Sequence, residues 1–217
     1  MQQLALDLDT ALAPPATFIS QCNEAAYAML DAWPRWPHPI VMVRGGAGTG
    51  KSHLAKAFAE RAGAALVNGA SLHSDSAVAL ARTPVVVDDA DCADETALFH
   101  MINAVRNVGS TMLLAATTRQ VGGLADLSSR LRAVPEVKLD EPDDALLRQV
   151  IIDRFQQRQL AIDGSVVSYL MTRIDRTLHD AVRWVDRVDR KGLAEKRGPT
   201  RPLAASVLRD EAGFPER

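Results

Sequence analysis

Residues 45–52 decide the fold of this chain, and they read Gly45-Gly46-Ala47-Gly48-Thr49-Gly50-Lys51-Ser52. The stretch fits the spacing G-x-x-x-x-G-K-S/T, which is typical of a phosphate-binding loop. An apolar run at 40–43 precedes it, as expected of a buried parallel strand, and residues 53–61 favour a helix. Glycines let several backbone N–H groups turn toward one anion, and the helix N-terminus adds partial positive charge. The sequence therefore predicts a strand, an anion-binding loop and a helix, in that order.

Two side chains at the end of the loop indicate the ligand. Lys51 is placed to supply a positive charge to the β- and γ-phosphates of a nucleotide, and the Ser52 hydroxyl is placed to bind Mg²⁺. A flexible turn that matches the spacing by chance is the alternative, but the flanking strand and helix favour the functional interpretation. We therefore expect ADP or ATP, together with Mg²⁺, as ligands.

The composition is that of an ordinary globular protein. The chain has 217 residues, 47% hydrophobic and 24% charged, which permits one large domain or a core with a smaller second domain. The formal net charge of -2 argues against a chain-wide basic field for nucleic acid. Cys22 and Cys92 match no metal-binding spacing, and no apolar run approaches membrane-spanning length. We expect a soluble, cytoplasmic protein that does not bind a membrane.

Polar residues follow two further apolar strands. Asp88 ends the strand at 84–87 and is predicted to hold Mg²⁺, while Asp89 is predicted to orient or deprotonate an attacking water. Two aspartates that cap a strand and begin a turn are the alternative. Thr118 follows the strand at 111–116, where polar residues face the ligand crevice of an open α/β sheet. A strand cap remains the alternative for this threonine.

The order of the predicted elements indicates the architecture. Alternating strands and helices up to residue 140 predict an α/β core with a five-stranded parallel sheet and helices on both faces. Helical periodicity alone follows, which predicts a small all-helical domain. Pro14 and Pro15 exclude regular structure near the N-terminus. The predicted organisation is a flexible tail at 1–15, a core at 16–140 and a helical domain at 141–217.

The tail carries a short motif with three leucines, Gln3-Leu4-Ala5-Leu6-Asp7-Leu8. Leucines on a tail have no core of their own, which favours docking in a groove of a partner. The residues expected to dock are Gln3, Leu4, Leu6 and Leu8. An edge strand, or a tail folded back on the core, fits the spacing equally well.

Taken together, these motifs resemble the AAA+ module of DnaA and its relatives. The resemblance rests on the loop with its following His53-Leu54, the Asp88-Asp89 motif, the box Ser129-Arg130-Leu131 and a helical lid. No helix-turn-helix pattern follows the lid in this sequence, and the N-terminal motif resembles the sliding-clamp-binding motif of Hda, the regulatory inactivator of DnaA. The lid stretch at 173–176 is also similar to Hda. The chain is thus expected to be an Hda-like AAA+ protein.

The resemblance implies roles for particular residues. Residues 45–53, ending in His53, are implied to hold ADP or ATP, with Ser52 and Asp88 on Mg²⁺. Phe18 and Asn23 fall where DnaA-type proteins cover the adenine. Arg130 matches the arginine finger, which reaches into a neighbouring subunit and stabilises charge on the transferring phosphoryl group. In Hda that neighbour is DnaA carrying ATP, and the sliding clamp, the beta subunit of DNA polymerase III, is the second implied partner.

Two positions depart from the family pattern. The first sensor is usually Asp or Asn, and Thr118 aligns there; because threonine carries no charge, we expect weak intrinsic ATP hydrolysis at most. The arginine of the second sensor aligns to Arg176 by comparison with DnaA and to His179 by comparison with Hda. Arg176 is preferred, since an arginine stays charged and suits phosphate.

The expected function is therefore regulatory. Bound to nucleotide and to the sliding clamp, the protein presents Arg130 to DnaA-ATP, stimulates its hydrolysis and represses replication initiation. A helicase loader or other DNA-remodelling ATPase is the alternative, and a small nucleotide kinase is a third. A homodimer is possible, and contact with DNA is expected to be indirect at most.

Overall fold

A parallel sheet forms the centre of the molecule. The computed structural model describes residues 18–118 and 123–211. The five strands lie in the order β2-β3-β4-β1-β5, and every neighbouring pair is parallel. The predicted five-stranded parallel sheet is therefore confirmed. The strands are β1 (Ile40–Gly45), β2 (Ala65–Asn68), β3 (Val85–Asp88), β4 (Met112–Ala116) and β5 (Glu136–Leu139).

Helices cover both faces of the sheet and then form a separate group. Several begin at a side-chain cap: Asp94, Asp143 and Thr177 each accept a hydrogen bond from a backbone N–H of the first turn. Those of the first part are α1 (Glu24–Asp31), α2 (Lys51–Ala62), α3 (Ala77–Leu80), α4 (Glu95–Val108) and α5 (Ala125–Ala133). Those of the second part are α6 (Asp144–Gln157), α7 (Gly164–Met171), α8 (Leu178–Glu195) and α9 (Arg201–Glu211).

Strand alternation builds two apolar layers. Ile40 and Met42 of β1 pack on one face of the sheet, with α4, while Val41 and Val43 pack on the other face, with α2. All four side chains are almost fully buried. Because both faces are covered, the central strands are continuously apolar, as expected of a parallel sheet. The carboxyl end of β1 is thereby held rigidly where the glycine-rich loop begins.

The helices α6–α9 have an apolar core of their own. This third cluster contains only residues between 147 and 208, with Phe155 and Val185 fully buried at its centre. Arg158 reinforces it from α6 by ion pairs to Asp186 and Asp189 of α8. The predicted helical C-terminal region is confirmed, and its apolar core is separate from the two layers that pack on the sheet. The domain division at 16–140 and 141–217 stays a prediction.

Some predictions concern residues that the structure does not describe. The docking motif of Gln3, Leu4, Leu6 and Leu8 lies there, as does the rest of the tail. Within the described ranges, no helix is long and apolar enough to cross a bilayer. Cys22 and Cys92 are both free thiols.

Candidate nucleotide-binding site

The glycine-rich loop connects β1 to α2 through two left-handed residues. Gly48 has φ +73° and Gly50 has φ +100°, conformations that side chains with a Cβ rarely adopt. A Cβ on Gly48 would also lie 2.5 Å from Cβ of Thr177, and a Cβ on Gly50 would lie 2.8 Å from Cδ1 of Leu178. Each of these two positions therefore requires glycine for two reasons, the left-handed backbone and the close approach of α8.

The loop is closed by its own side chains. Lys51 is only 7% exposed, and its Nζ donates to the carbonyl oxygens of Gly45 at 2.9 Å and Gly46 at 2.8 Å. The hydroxyl of Thr49 donates to the same Gly46 carbonyl at 3.0 Å. These bonds hold the Lys51 charge inside the curve of the loop, where the phosphates of a nucleotide are expected.

The loop also contacts the helical domain directly. The backbone N–H of Leu178 donates to the carbonyl oxygen of Gly48 at 2.9 Å. Thr177 caps α8 immediately before this contact by accepting from the N–H of Asp180 at 3.0 Å. The start of α8 is therefore fixed against the turn that carries the predicted phosphate site.

A cavity of about 410 Å³ opens beside the loop. The core contributes residues 48–54, Leu139 and the aromatic side chains of Phe18 and Tyr27. Asn23 holds the segment before α1 in place, since its Nδ2 donates to the Phe18 carbonyl at 3.0 Å and its Oδ1 accepts from the Ser20 N–H at 2.8 Å. Burial raises the pKa of the Tyr27 hydroxyl. An apolar, partly aromatic wall next to a phosphate loop suits a flat base.

The helical domain supplies the opposite wall. Helices α6 and α8 contribute Leu146, Val150, Arg154, Leu178, His179 and Val182. No aspartate or glutamate lines the cavity among the residues that the structure describes. Its permanent charges are those of Lys51 and Arg154, so the cavity is electropositive and suits an anionic ligand.

The two acidic residues lie at the carboxyl end of β3 but outside the cavity lining. Oδ1 of Asp88 accepts from the backbone N–H of Asp89 at 3.1 Å. Asp89 itself is left-handed, with φ 50°, and its Oδ2 accepts from Nδ2 of Asn68 at 3.2 Å. The carboxylate predicted to act on an attacking water is therefore turned toward the end of β2.

The donors suit a magnesium ion shared with a ligand. Mg²⁺ prefers hard oxygen atoms and is usually held by one or two protein groups together with phosphate oxygens and water. Ser52 and Asp88 supply a hydroxyl and a carboxylate at the carboxyl edge of the sheet. In the described part of the chain, no group of three or more His, Cys, Asp or Glu residues forms a metal site by itself. The ion is thus expected only together with a nucleotide.

Thr118 and Arg130 lie away from the cavity. The backbone N–H of Thr118, at the exposed end of β4, lies 3.4 Å from Oδ2 of Asp91. Arg130 extends from α5, where Leu127 and Leu131 are buried, and its guanidinium carbon lies 4.9 Å from the centre of the Phe99 ring. Neither residue lines the cavity of its own chain.

The structure favours His179 over Arg176 at the cavity. Arg176 precedes the cap of α8, is 56% exposed and pairs with Asp144, the two side chains lying 2.7 Å apart. His179 lies in the first turn of α8 and lines the cavity. Arg176 stays the prediction for the second sensor, but in this structure it lies before the cap at Thr177, whereas the residues of α8 that line the cavity follow that cap.

Sequence reasoning missed the contribution of α6. Leu146, Val150 and Arg154 are spaced at i, i+4 and i+8 and form one stripe along the cavity wall. The sequence did carry a signal for this wall, because Arg154 continues the apolar stripe of α6 at helical spacing. Leu178 and Val182 of α8 line the cavity as well.

His53 is predicted to make stability sensitive to mild acid. Burial lowers the pKa of its imidazole, Arg154 and Lys56 lower it further by repulsion, and Glu60 acts in the opposite direction. Since the unfolded histidine titrates near pH ~6.5, the folded state loses stability as the pH falls below that value and through the folded pKa. Urea unfolding at pH 7.5 and 5.5 should therefore show a smaller loss for His53→Gln than for the wild type. An equal loss in both proteins would contradict the assignment.

The helical domain matches a known family. Residues 144–208 match the family model described as Hda, lid domain. The whole fold is similar to domain III of the replication initiation protein DnaA from Thermotoga maritima, with a TM-score of 0.75, 15% identity and coverage of 89% of this chain and 94% of that chain. It is also similar to the RuvB Holliday junction branch migration motor of Thermotoga maritima, with a TM-score of 0.71, 19% identity and coverage of 89% and 70%.

A second DnaA structure and one bacterial sequence extend these similarities. A replication initiator DnaA bound to AMPPCP and single-stranded DNA gives a TM-score of 0.66 at 18% identity, covering 83% of this chain and 66% of that chain. An uncharacterized protein of Haemophilus influenzae is 26% identical over 188 residues, or 78% of this chain and 81% of that protein. Residues 144–208 thus match an Hda lid domain, and the fold of the chain is that of these DnaA and RuvB structures.

Proposed function

We propose that this protein binds ADP or ATP with Mg²⁺ and regulates DnaA by stimulating hydrolysis of DnaA-bound ATP on the sliding clamp. The observation that carries the proposal is the Hda lid domain joined to an AAA+ core whose phosphate loop contacts it directly. A DnaA protein of the same fold is bound to AMPPCP, which supports a nucleotide in the corresponding cavity of this chain.

The bound nucleotide sets the position of the lid relative to the core. It fills the cavity between the loop and helices α6 and α8, so it contacts both domains at once. Gly48 and Leu178 already join them by a backbone hydrogen bond. Occupancy therefore adjusts the angle of the lid and, through the core, the pose in which Arg130 meets DnaA. Any turnover of the protein's own ATP is slow and secondary.

Arg130 acts in trans. It stands outside the cavity of its own chain, half-buried on α5, and its guanidinium lies over the Phe99 ring. Stacking keeps the guanidinium extended and reduces the entropy lost when it enters a partner's site. Lys51 and Arg130 thus serve different nucleotides, Lys51 in this chain and Arg130 in DnaA.

The decisive experiment follows the nucleotide on DnaA. DnaA is loaded with radiolabelled ATP and incubated with this protein, with DNA-loaded clamp, or with both, and the fraction converted to ADP is measured. Conversion is expected to be fast only when both are present. Hydrolysis that needs neither DnaA nor the clamp but responds to single-stranded DNA would instead indicate a DNA-remodelling ATPase. Fast transfer to a nucleoside monophosphate would indicate a kinase.

Deletion of residues 1–8 should remove clamp binding. The motif of Gln3, Leu4, Leu6 and Leu8 supplies the apolar side chains proposed to enter the clamp groove. A pull-down on immobilised clamp should retain the full chain and release the deletion variant, while both bind ADP equally. Retention of the deletion variant would refute the proposed attachment.

A further inference from the structure

The helix that carries Arg130 is held at its start by a side chain from another helix. Leu124 occupies the N-cap position of α5, and its apolar side chain makes no capping hydrogen bond. Glu95 of α4 supplies acceptors instead: its Oε1 accepts from the N–H of Gly123 at 2.9 Å and its Oε2 from the N–H of Leu124 at 2.7 Å. In a capping box, a glutamate of the helix itself bonds the N–H of the N-cap residue. Here a neighbouring helix makes the same kind of bond, so the start of α5 depends on α4.

The same neighbour contacts Arg130 itself. Phe99 follows Glu95 by four residues in α4, so the two side chains lie one turn apart on one side of that helix. The guanidinium carbon of Arg130 lies 4.9 Å from the centre of the Phe99 ring. α4 therefore holds α5 at two points, the N-cap and the arginine, which lie six residues or roughly 9 Å apart along the helix axis.

α4 is itself firmly held in the core of the protein. Asp94 caps it by accepting from the N–H of Ala97 at 2.8 Å. Its apolar side is buried in the layer on the sheet, through Leu98, Met101, Ile102 and Val105. Because close-packed side chains of this kind do not shift independently, α4 gives α5 a rigid support.

A second carboxylate holds the other end of the connection between β4 and α5. Oδ2 of Asp91 accepts from the backbone N–H of Thr117 at 3.2 Å and lies 3.4 Å from that of Thr118. Asp91 and Glu95 both belong to the stretch that follows Asp89 at the end of β3. The position of α5 is thus tied, through two carboxylates, to the carboxyl edge of the sheet.

We infer that Glu95 is a positioning residue for Arg130: it anchors the N-terminus of α5 and thereby holds the guanidinium in a defined pose for entry into a partner's nucleotide site. The inference rests on the proposed function, in which Arg130 acts on DnaA-bound ATP. Glu95 does not line the cavity of its own chain, so it acts through the orientation of α5. Without it, Arg130 samples a wider range of poses, and a misplacement of about 1 Å at a reacting group can cost roughly 100-fold in rate.

Two substitutions test this role by single-turnover hydrolysis of DnaA-bound ATP on loaded clamp, measured over a range of concentrations of this protein. Glu95→Ala removes both acceptors and should lower the maximal rate about 10- to 100-fold. The concentration that gives half of that rate should not change, because Arg130 acts on the phosphoryl group as it transfers and not on docking. Thr96→Ala, at an exposed position of the same turn, is the control and should stimulate as the wild type does.

Glu95→Gln separates the two hydrogen bonds from the charge. Both substitutions remove the negative charge from the first turn of α4, but glutamine keeps the volume and one oxygen acceptor. Its maximal rate should therefore lie between those of Glu95→Ala and the wild type. Equal losses in the two variants would show that the bonds to the start of α5 are not the cause, and would overturn the inference.

Hydrogen exchange of the free protein tests the anchor without DnaA. In Glu95→Ala, the amides at the start of α5 should exchange faster, while those of α4 keep the wild-type rate because Asp94 still caps that helix. Unchanged exchange in α5, or faster exchange throughout α4 and the sheet, would overturn the inference. A wild-type chain that does not stimulate DnaA would refute the proposed function. A wild type and a Glu95→Ala variant that stimulate equally would refute only the role of Glu95.

Discussion

Arg130→Ala is expected to lower the stimulated hydrolysis of DnaA-bound ATP by about 10³-fold or more, the usual effect of losing an arginine finger. The arginine supplies positive charge to the phosphoryl group as it transfers, and alanine leaves that charge without a partner. Single-turnover conversion of DnaA-bound ATP on loaded clamp measures the effect. The affinity of the variant for its own ADP should not change, since Arg130 does not line the cavity of its own chain.

Arg132→Ala provides the control for this prediction. Arg132 lies on the same helix and is exposed, so its loss removes a similar charge from a similar place. It should reduce stimulation at most slightly. If both variants stimulate DnaA like the wild type, the proposed role of α5 is wrong. If Arg130→Ala loses its own ADP as well, the arginine serves the cis site and the trans mechanism fails.

Lys51→Ala is expected to weaken ADP binding by roughly 100-fold, which corresponds to about 3 kcal/mol from lost charge-assisted hydrogen bonds. Lys51 is buried, and its ammonium group is already held by two loop carbonyls. A nucleotide therefore meets a positioned charge, and little entropy is lost on binding. Removing it also takes the Lys51 donor from the Gly45 carbonyl, whereas the Gly46 carbonyl keeps the hydroxyl of Thr49.

Isothermal titration with ADP checks the effect of Lys51→Ala, and circular dichroism checks that the fold is retained. Lys56→Ala is the matched control, since Lys56 is an exposed lysine of the same helix. It should change ADP affinity less than about threefold, because an exposed charge is screened by solvent. Equal affinities for the two variants would show that the glycine-rich loop is not the phosphate site.

Much of the fold follows from local pattern. The strands β1, β3 and β4 coincide with apolar runs, and β1 and α2 flank the loop as its spacing requires. The helical domain follows from periodicity, with Phe155 and Val185 at its centre. These features are local because hydrogen bonding and the burial of one face depend on residues near in sequence.

Which residues form the site was harder to predict from the sequence than the fold. Arg176 and His179 are only three residues apart, and it is the position of the cap at Thr177 that puts His179, and not Arg176, in the cavity lining. The role of Asp89 toward water stays a prediction, and the structure adds that its backbone is left-handed and that its carboxylate accepts a hydrogen bond from Asn68. In both cases the position of the side chain depends on the direction that the backbone takes where a helix begins or a strand ends. The apolar periodicity of the sequence does not predict that direction.

The sequence by itself determined the strand, loop and helix that hold the predicted phosphate site, the parallel sheet and the helical lid. It did so because glycine spacing and apolar periodicity act over a few residues. Only the tertiary structure decided that Gly48 contacts Leu178, and that His179 and Arg154 line the cavity. These contacts join segments about 100 or more residues apart, and they exist only because α6 and α8 dock their inner faces against the loop.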